Sequence, residues 1–389
     1  MKKVLICIIC LFMFIPFVKA QKEENSNTLA KNAKSAIMIE ASTGEILYEF
    51  NSHEKREPAS MTKMMSLLLI MEAIEKNVIS WDQMITVSSN ASSMGGSQIL
   101  LETGEEMSVD DLVKGISIAS GNDAVVALAE AIAGTEENFV SMMNAKVKSL
   151  GLKDTNFKNC HGLDEEGHYS SAYDMAFIAK ELVQHEKILK YSSIYEAYLR
   201  EGTNRKIWLV NTNKLVRFKP GVDGLKTGYT EGAGYCLTAT MKKDNMRIIA
   251  TVMGEPSSTV RNSEVSSMLD YAFAQVGINR VLSNKSVVKK VNMTKAEKTI
   301  EAVPKTDVNV LYKKVDGKIT PTYKIKINNI KLPLNKGDVI GKIILYNDNT
   351  KINEVDLVSN KDVKKCNLIK LYLKNLKNIL GGNITFKAD

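Results

Sequence analysis

The sequence predicts an α+β domain, one antiparallel sheet with helices on its faces, followed by a small all-β domain. Three observations predict it. Two short β-like runs joined by a turn stand near the start, at residues 35–40 and 45–50, and two more, residues 235–241 and 247–253, stand far along the chain. Helical patterns fill the interval between them. Beyond Val287, short β-branched runs alternate with polar turns. Strands at the two ends of a helical stretch pair in one sheet, with the helices segregated to its faces.

Residues 1–20 read as a secretory leader: Lys2 and Lys3, an apolar run from Val4 to Val18, and a small-x-small site at Val18-Lys19-Ala20. The apolar stretch is short for a membrane span. The chain is therefore expected to act outside the cytoplasmic membrane. After a polar segment, Ser42-Thr43-Gly44 turns between the first two strands. Residues 64–76 are apolar nearly all round, the pattern of a buried helix. Ser108 with Asp111 starts another helix, expected to break at Gly121 and resume over 123–133. Thr135 caps a further helix that ends at Gly151, residues 171–184 form an amphipathic one, and 262–276 close the first domain. In the second domain, Val315-Asp316-Gly317-Lys318 is a hairpin signal and Lys336-Gly337-Asp338 another turn. The expected division is leader 1–20, catalytic domain 21–282, β-rich domain 283–362 and a basic amphipathic tail 363–389. In the tail, Leu368, Tyr372, Leu376 and Ile379 share one side, and lysines lie largely on the other. That pattern fits a helix lying on an anionic membrane surface.

Composition excludes several classes. Cys7 and Cys10 fall in the leader, and Cys160, Cys236 and Cys366 are far apart, with neither metal spacing nor a disulfide framework. The four histidines form no metal signature, so no metal and no cofactor is expected. The net charge of +8 has no nucleic-acid motif or aromatic platform beside it. For an exported chain it points to anionic envelope polymers and lipid head groups.

Chemistry enters with Ser60-Met61-Thr62-Lys63. Positions i and i+3 share a helix face, so the Lys63 amine can meet the Ser60 hydroxyl. Serine needs an adjacent base to become a nucleophile, and a lysine is a base only where burial or positive charge lowers its pKa. Two further elements follow in order: Ser120-Gly121-Asn122 between two helices, and Lys226-Thr227-Gly228 before an alternating strand. The trio resembles the S-x-x-K, S-D-N, K-T-G set of penicillin-binding proteins and class A β-lactamases, with Gly121 in place of the aspartate.

With the leader, β domain and tail, the chain resembles the low-molecular-mass penicillin-binding proteins that act as serine-type D-alanyl-D-alanine carboxypeptidases. Asn211-Thr212-Asn213, His161-Gly162-Leu163-Asp164 and the run from Gly221 to Thr230 strengthen the likeness. The resemblance implies that Ser60 is the nucleophile, Lys63 its base and Ser120 a proton relay. It implies that Asn122 holds the substrate amide and the Lys63 amine. It gives the substrate's terminal carboxylate to Lys226 and Thr227, with Arg261 beside them. It places an oxyanion hole at the N–H groups of Ser60 and Tyr229, with Gly228 allowing close approach. Tyr229 stands where the family often has histidine. The partners implied are a stem peptide ending in D-Ala-D-Ala and β-lactam antibiotics. His161, His168 and the Asp164-Glu165-Glu166 cluster read as loop side chains rather than as members of a triad. Rival functions are a β-lactamase of the same fold, an endopeptidase or transpeptidase, and an inactive envelope-binding protein. No E-x-x-L-N element lies between Ser120 and Lys226 to support the first.

Overall fold

The computed structural model describes residues 29–372 and 376; the expected leader and most of the expected tail lie outside them. Five strands form one antiparallel sheet in the order Ile46–Phe50, Ser35–Glu40, Met246–Glu255, Gly234–Lys243, Val222–Thr230. The two N-terminal strands thus join three from the far end of the domain, and Ser35 to Glu40 pair with Met253 to Ile248. Side chains alternate across a strand. Ile37 and Ile39 accordingly enter the core shared with the helix Lys63–Glu75, while Ala36 and Met38 meet Val265, Met268 and Leu269 of the helix Ser258–Gln275. Burying both faces of the sheet fixes its register, because a one-residue slip would turn every side chain over.

The helix Lys63–Glu75 is buried on almost every side, from Met64 through Met71. The expected caps are present, Ser108 accepting from the Asp111 N–H and Thr135 from Asn138, and Ser171 adds a third, accepting from Asp174 at the start of the helix Ala172–Leu182. At the break between helices the turning residue is Ser120, with φ 66°, not the glycine; Gly121 keeps φ −55°. The closing helix starts at Ser258, earlier than expected, because Ser257 caps the Val260 N–H. The helix Glu186–Ser192 and the hairpin Glu196–Leu199/Ile207–Val210 were not anticipated; both are too short to display a period.

The second domain holds a sheet in the order Lys289–Val291, Ile300–Pro304, Thr350–Ser359, Val339–Asn347, Thr322–Ile327. Gly317 turns with φ 78°, but the turn does not make a hairpin. Val308–Lys313 before it pairs with Val276–Leu282, and Thr322–Ile327 after it pairs with Val339–Asn347. Gly337 turns as expected, with φ 94°. Val363, assigned to the tail on sequence, is buried in this domain's core and bridges Leu334, and Lys365 bridges Ala296. Beyond Cys366, Leu368, Ile369, Tyr372 and Leu376 are exposed. Among the described residues, no helix is long and apolar enough to cross a membrane.

Candidate active site

Ser60 sits in a 3-10 turn, Ala59–Thr62, that runs directly into the helix Lys63–Glu75. This turn is locked from two sides. Gly162 has φ 91°, and a Cβ there would lie 2.0 Å from the Ala59 carbonyl oxygen. Gly228, on the edge strand Val222–Thr230, faces the same turn; a Cβ there would lie 2.7 Å from the Pro58 carbonyl oxygen and 3.2 Å from the Ser60 nitrogen. The glycine of K-T-G therefore lets the strand close on the serine backbone.

Lys63 is fully buried. Its Nζ donates to Ser60 Oγ at 3.0 Å and to the His161 carbonyl at 2.6 Å. Among the described residues no carboxylate lies within ion-pair distance of it. Burial lowers its pKa to about 7, against small raising effects from Cys160 and Asp123. A neutral amine has two N–H donors and one lone pair. With one N–H held by the His161 carbonyl, the lone pair is available to the Ser60 hydroxyl, and the direction of that hydrogen bond reverses. Lys226 is also buried, and its pKa is lowered well below the usual value by burial first, then by Lys63 and Arg261. Of the two routes to a lowered lysine, burial and positive charge, it is burial that acts on Lys63. The Lys226 amine donates to the Thr227 carbonyl at 3.0 Å.

Ser120 Oγ and Asn122 Oδ1 are buried without hydrogen-bond partners. Buried polar atoms are ordinarily satisfied, so these two stand out as open hydrogen-bonding positions. Asn122 does not hold the Lys63 amine as expected. Its Nδ2 donates to the Gly95 carbonyl at 2.7 Å, and Lys63 spends its donors on Ser60 and His161. Asp123, next along the chain, accepts the backbone N–H groups of Ile99 and Leu101 and so pins this rim segment. Thr227 Oγ1 donates to Thr212 Oγ1 at 2.7 Å. Arg261 is buried at the start of the closing helix, and its Nη1 points at the Cys236 carbonyl at 3.5 Å. Cys236 lies opposite Gly228 in the sheet, which sets Arg261 level with the K-T-G strand. The Tyr229 side chain is exposed and lies tilted against Tyr235, with ring centroids 4.3 Å apart.

Neither histidine forms a triad. His161 Nδ1 accepts from the Leu163 N–H, and His168 Nδ1 from the Lys158 N–H while its Nε2 faces Thr62 Oγ1 at 2.8 Å. Burial lowers both to about 4, so both are neutral wall residues. Asp164 accepts from Thr230 and Glu165 from Asn159, on a turn at the rim. Sequence reasoning missed the His161 carbonyl as the second partner of Lys63. A backbone acceptor leaves no side-chain signature; only the neighbouring Gly162 marks the spot.

A serine with a buried amine at its hydroxyl, two unsatisfied polar groups and a cluster of cations nearby define an acyl-transferring serine enzyme of the Ser-Lys type. Residues 20–257 match the family model described as D-alanyl-D-alanine carboxypeptidase, and residues 279–365 match the penicillin-binding protein 5 C-terminal domain. D-alanyl-D-alanine carboxypeptidase DacF of Bacillus subtilis is 48% identical over 382 residues, 97% of each chain. DacC of Escherichia coli is 32% identical over 375 residues, covering 91% of this chain and 90% of the relative. The crystal structure of penicillin-binding protein 5 from Haemophilus influenzae superposes with a TM-score of 0.68 at 32% identity, covering 86% of this chain and 98% of that one. Penicillin-binding protein D2 of Listeria monocytogenes, solved with ampicillin bound, gives a TM-score of 0.56 at 29% identity, covering 62% and 98%. The chain belongs to the serine-type D-alanyl-D-alanine carboxypeptidases, the low-molecular-mass penicillin-binding proteins.

The lock on the serine turn generates a prediction. Gly162→Ala combines a positive φ with a clash against backbone, and should cost roughly 1–3 kcal/mol of stability. A 1 Å displacement of the nucleophile lowers turnover by about 10²-fold. Urea unfolding together with release of D-alanine from a peptide would measure both; an unchanged turnover would show that the turn is held some other way.

Proposed function

We propose that this protein removes the terminal D-alanine from peptidoglycan stem peptides through an acyl-enzyme on Ser60, and that penicillins trap the same serine. The observation that carries this reading is the fully buried Lys63 amine 3.0 Å from Ser60 Oγ, with burial lowering its pKa to about 7. Ser60 Oγ attacks the carbonyl carbon between the two D-alanines while Lys63 takes its proton. Negative charge on the carbonyl oxygen is met by the N–H groups of Ser60 and Tyr229. The C–N bond then breaks. Ser120, a hydroxyl that both donates and accepts, passes a proton to the departing amine. Water hydrolyses the ester, releasing the shortened peptide and restoring Ser60. Asn122 holds the substrate amide through its unpartnered Oδ1. Lys226, Thr227 and Arg261 receive the terminal carboxylate, and Gly228 keeps the strand close. Their surroundings support this: a carboxylate entering between buried cations would draw Lys226 back to its charged form.

A β-lactam presents an amide carbonyl beside a carboxylate, the same pair of handles. Intact-mass spectrometry after exposure to benzylpenicillin should show one adduct, mapped to Ser60 and absent in Ser60→Ala. Lys63→Ala should lower the rate of acylation by roughly 10²–10⁴-fold. An adduct on another residue, or near-normal acylation in Lys63→Ala, would contradict the reading.

The site's place is the extracytoplasmic face, reached through the leader at residues 1–20, with residues 21–282 the catalytic unit and 283–362 the β-rich one. The tail then holds the enzyme at an anionic membrane surface. Its support is the exposed row Leu368, Ile369, Tyr372 and Leu376. A chain ending at Cys366 should keep its fold and peptide hydrolysis yet lose binding to vesicles containing anionic lipid. A chain ending at Asn360 should also lose stability, because it deletes the buried Val363. Vesicle binding that survives the Cys366 truncation would place the anchor elsewhere.

A further inference from the structure

The loop that brings the His161 carbonyl to Lys63 has a support that the mechanism above does not use. A base whose lone pair is aimed by a backbone carbonyl keeps its direction only while that backbone is held. Here several groups hold it. The Cys160 carbonyl accepts from Ser66 Oγ at 2.6 Å, one turn along the helix from Lys63. The Gly162 N–H donates to Asn159 Oδ1 at 2.7 Å, and the Leu163 N–H to His161 Nδ1 at 3.1 Å. The Leu163 carbonyl accepts from Asn159 Nδ2 at 3.0 Å. These partners belong to the loop itself or to the helix that carries the base. The Cys160 N–H is different. It donates to Glu136 Oε1 at 2.9 Å, on the separate helix Glu136–Ser149.

An acid in the first turn of a helix ordinarily serves that helix, by complementing its dipole. In this helix other residues are placed for that task. Thr135 Oγ1 accepts the Asn138 N–H, and Glu137, the next acid, is exposed. The Glu136 side chain is only 16% exposed, and its carboxylate reaches across to the loop. It meets a second group there. His161 Nδ1 is an acceptor, so the neutral ring carries its proton on Nε2, and Nε2 faces the same Oε1 at 3.6 Å. That is too long for a hydrogen bond, but it sets an N–H against negative charge. One carboxylate oxygen therefore bears on two consecutive residues, and the second of them supplies the carbonyl that Lys63 uses at 2.6 Å. A hydrogen bond to a carboxylate is roughly twice as strong as one between neutral groups.

We propose that Glu136 is a positioning residue for the general base: by clamping the Cys160 N–H it seats the His161 carbonyl on the Lys63 amine, and so aims the lone pair at Ser60. It acts through the loop, without touching the reacting atoms. The inference rests on the reading of Lys63 as the base. Without the clamp the loop loses its tie to the helix Glu136–Ser149, the carbonyl drifts, and water reaches the amine. Re-solvation then returns Lys63 toward its ordinary pKa, since burial is what lowers it. The titratable groups that face Lys63 are Lys226, His161, Cys160 and Asp123, and a change at Glu136 removes none of them.

Acylation by benzylpenicillin and release of D-alanine from a soluble peptide, each followed across the pH range on either side of neutrality, test it. Glu136→Ala should lower the acylation rate and kcat by roughly 10–10²-fold, with KM little changed. The acid limb of kcat/KM, set by Lys63 near pH 7 in the wild type, should move to higher pH in that variant. Glu136→Gln keeps an oxygen that can accept the Cys160 N–H, and should restore both the rate and the limb. Glu136→Asp keeps the charge but is one methylene short, and should behave like Glu136→Ala. Glu137→Ala, in the same helical turn, should match the wild type, which separates the clamp from the stability of the helix. A wild-type rate and acid limb in Glu136→Ala would overturn the clamp. So would a Glu136→Gln enzyme as slow as Glu136→Ala, or a Glu136→Asp enzyme as fast as the wild type. Near-normal acylation in Lys63→Ala would instead overturn the base reading, and the clamp with it.

Discussion

Burying the Lys63 amine without a carboxylate beside it is the constraint on which the site depends. A charged ammonium in a dry interior would be very costly, and the protein lowers the cost by letting the amine be neutral. The core around the helix Lys63–Glu75 provides the desolvation, so the packing that stabilises the domain also produces the base. The His161 carbonyl provides direction, holding one N–H so that the lone pair faces Ser60. Fold and chemistry are in this sense one arrangement: loosening the core would re-solvate the lysine and return it to its charged form.

The sheet supplies the opposite wall. Gly228 allows the edge strand Val222–Thr230 to come against the Ser60 turn, and Gly162 lets the loop carrying the His161 carbonyl come in from the other side. Three distant segments are thereby fixed about one hydroxyl. The orphaned Ser120 Oγ and Asn122 Oδ1 remain between two helices, where Asp123 anchors the rim. Electrostatically the site gathers basic groups: Lys226 and Arg261 are both buried, and among the described residues neither has a carboxylate within ion-pair distance.

Much of this was legible in the sequence. The caps at Ser108 and Thr135 and the alternating strands follow from local rules that tertiary packing does not override. The Ser60, Ser120 and Lys226 elements are side-chain motifs, so order and spacing reveal them. What escaped notice depends on backbone or on long-range burial. Ser120 rather than Gly121 takes the left-handed turn, because that conformation ends one helix and aims the hydroxyl inward. Asn122 bonds the Gly95 carbonyl, a partner that no motif encodes. The turn at Gly317 looks like a hairpin locally, yet its flanking strands belong to different sheets, since pairing is set by the whole domain. Val363 reads as part of an amphipathic tail, but Leu334 claims it for the core.

The claim that Lys63 is an uncharged base in the resting enzyme is tested most directly by titrating that one amine. Heteronuclear NMR on protein labelled in its lysine side chains, with Lys63→Ala used to assign the signal, would follow its ionisation with pH. The account predicts a midpoint near pH 7. A midpoint near the ordinary lysine value of 10.5 would contradict it, because the amine would then be charged when the serine is required to react.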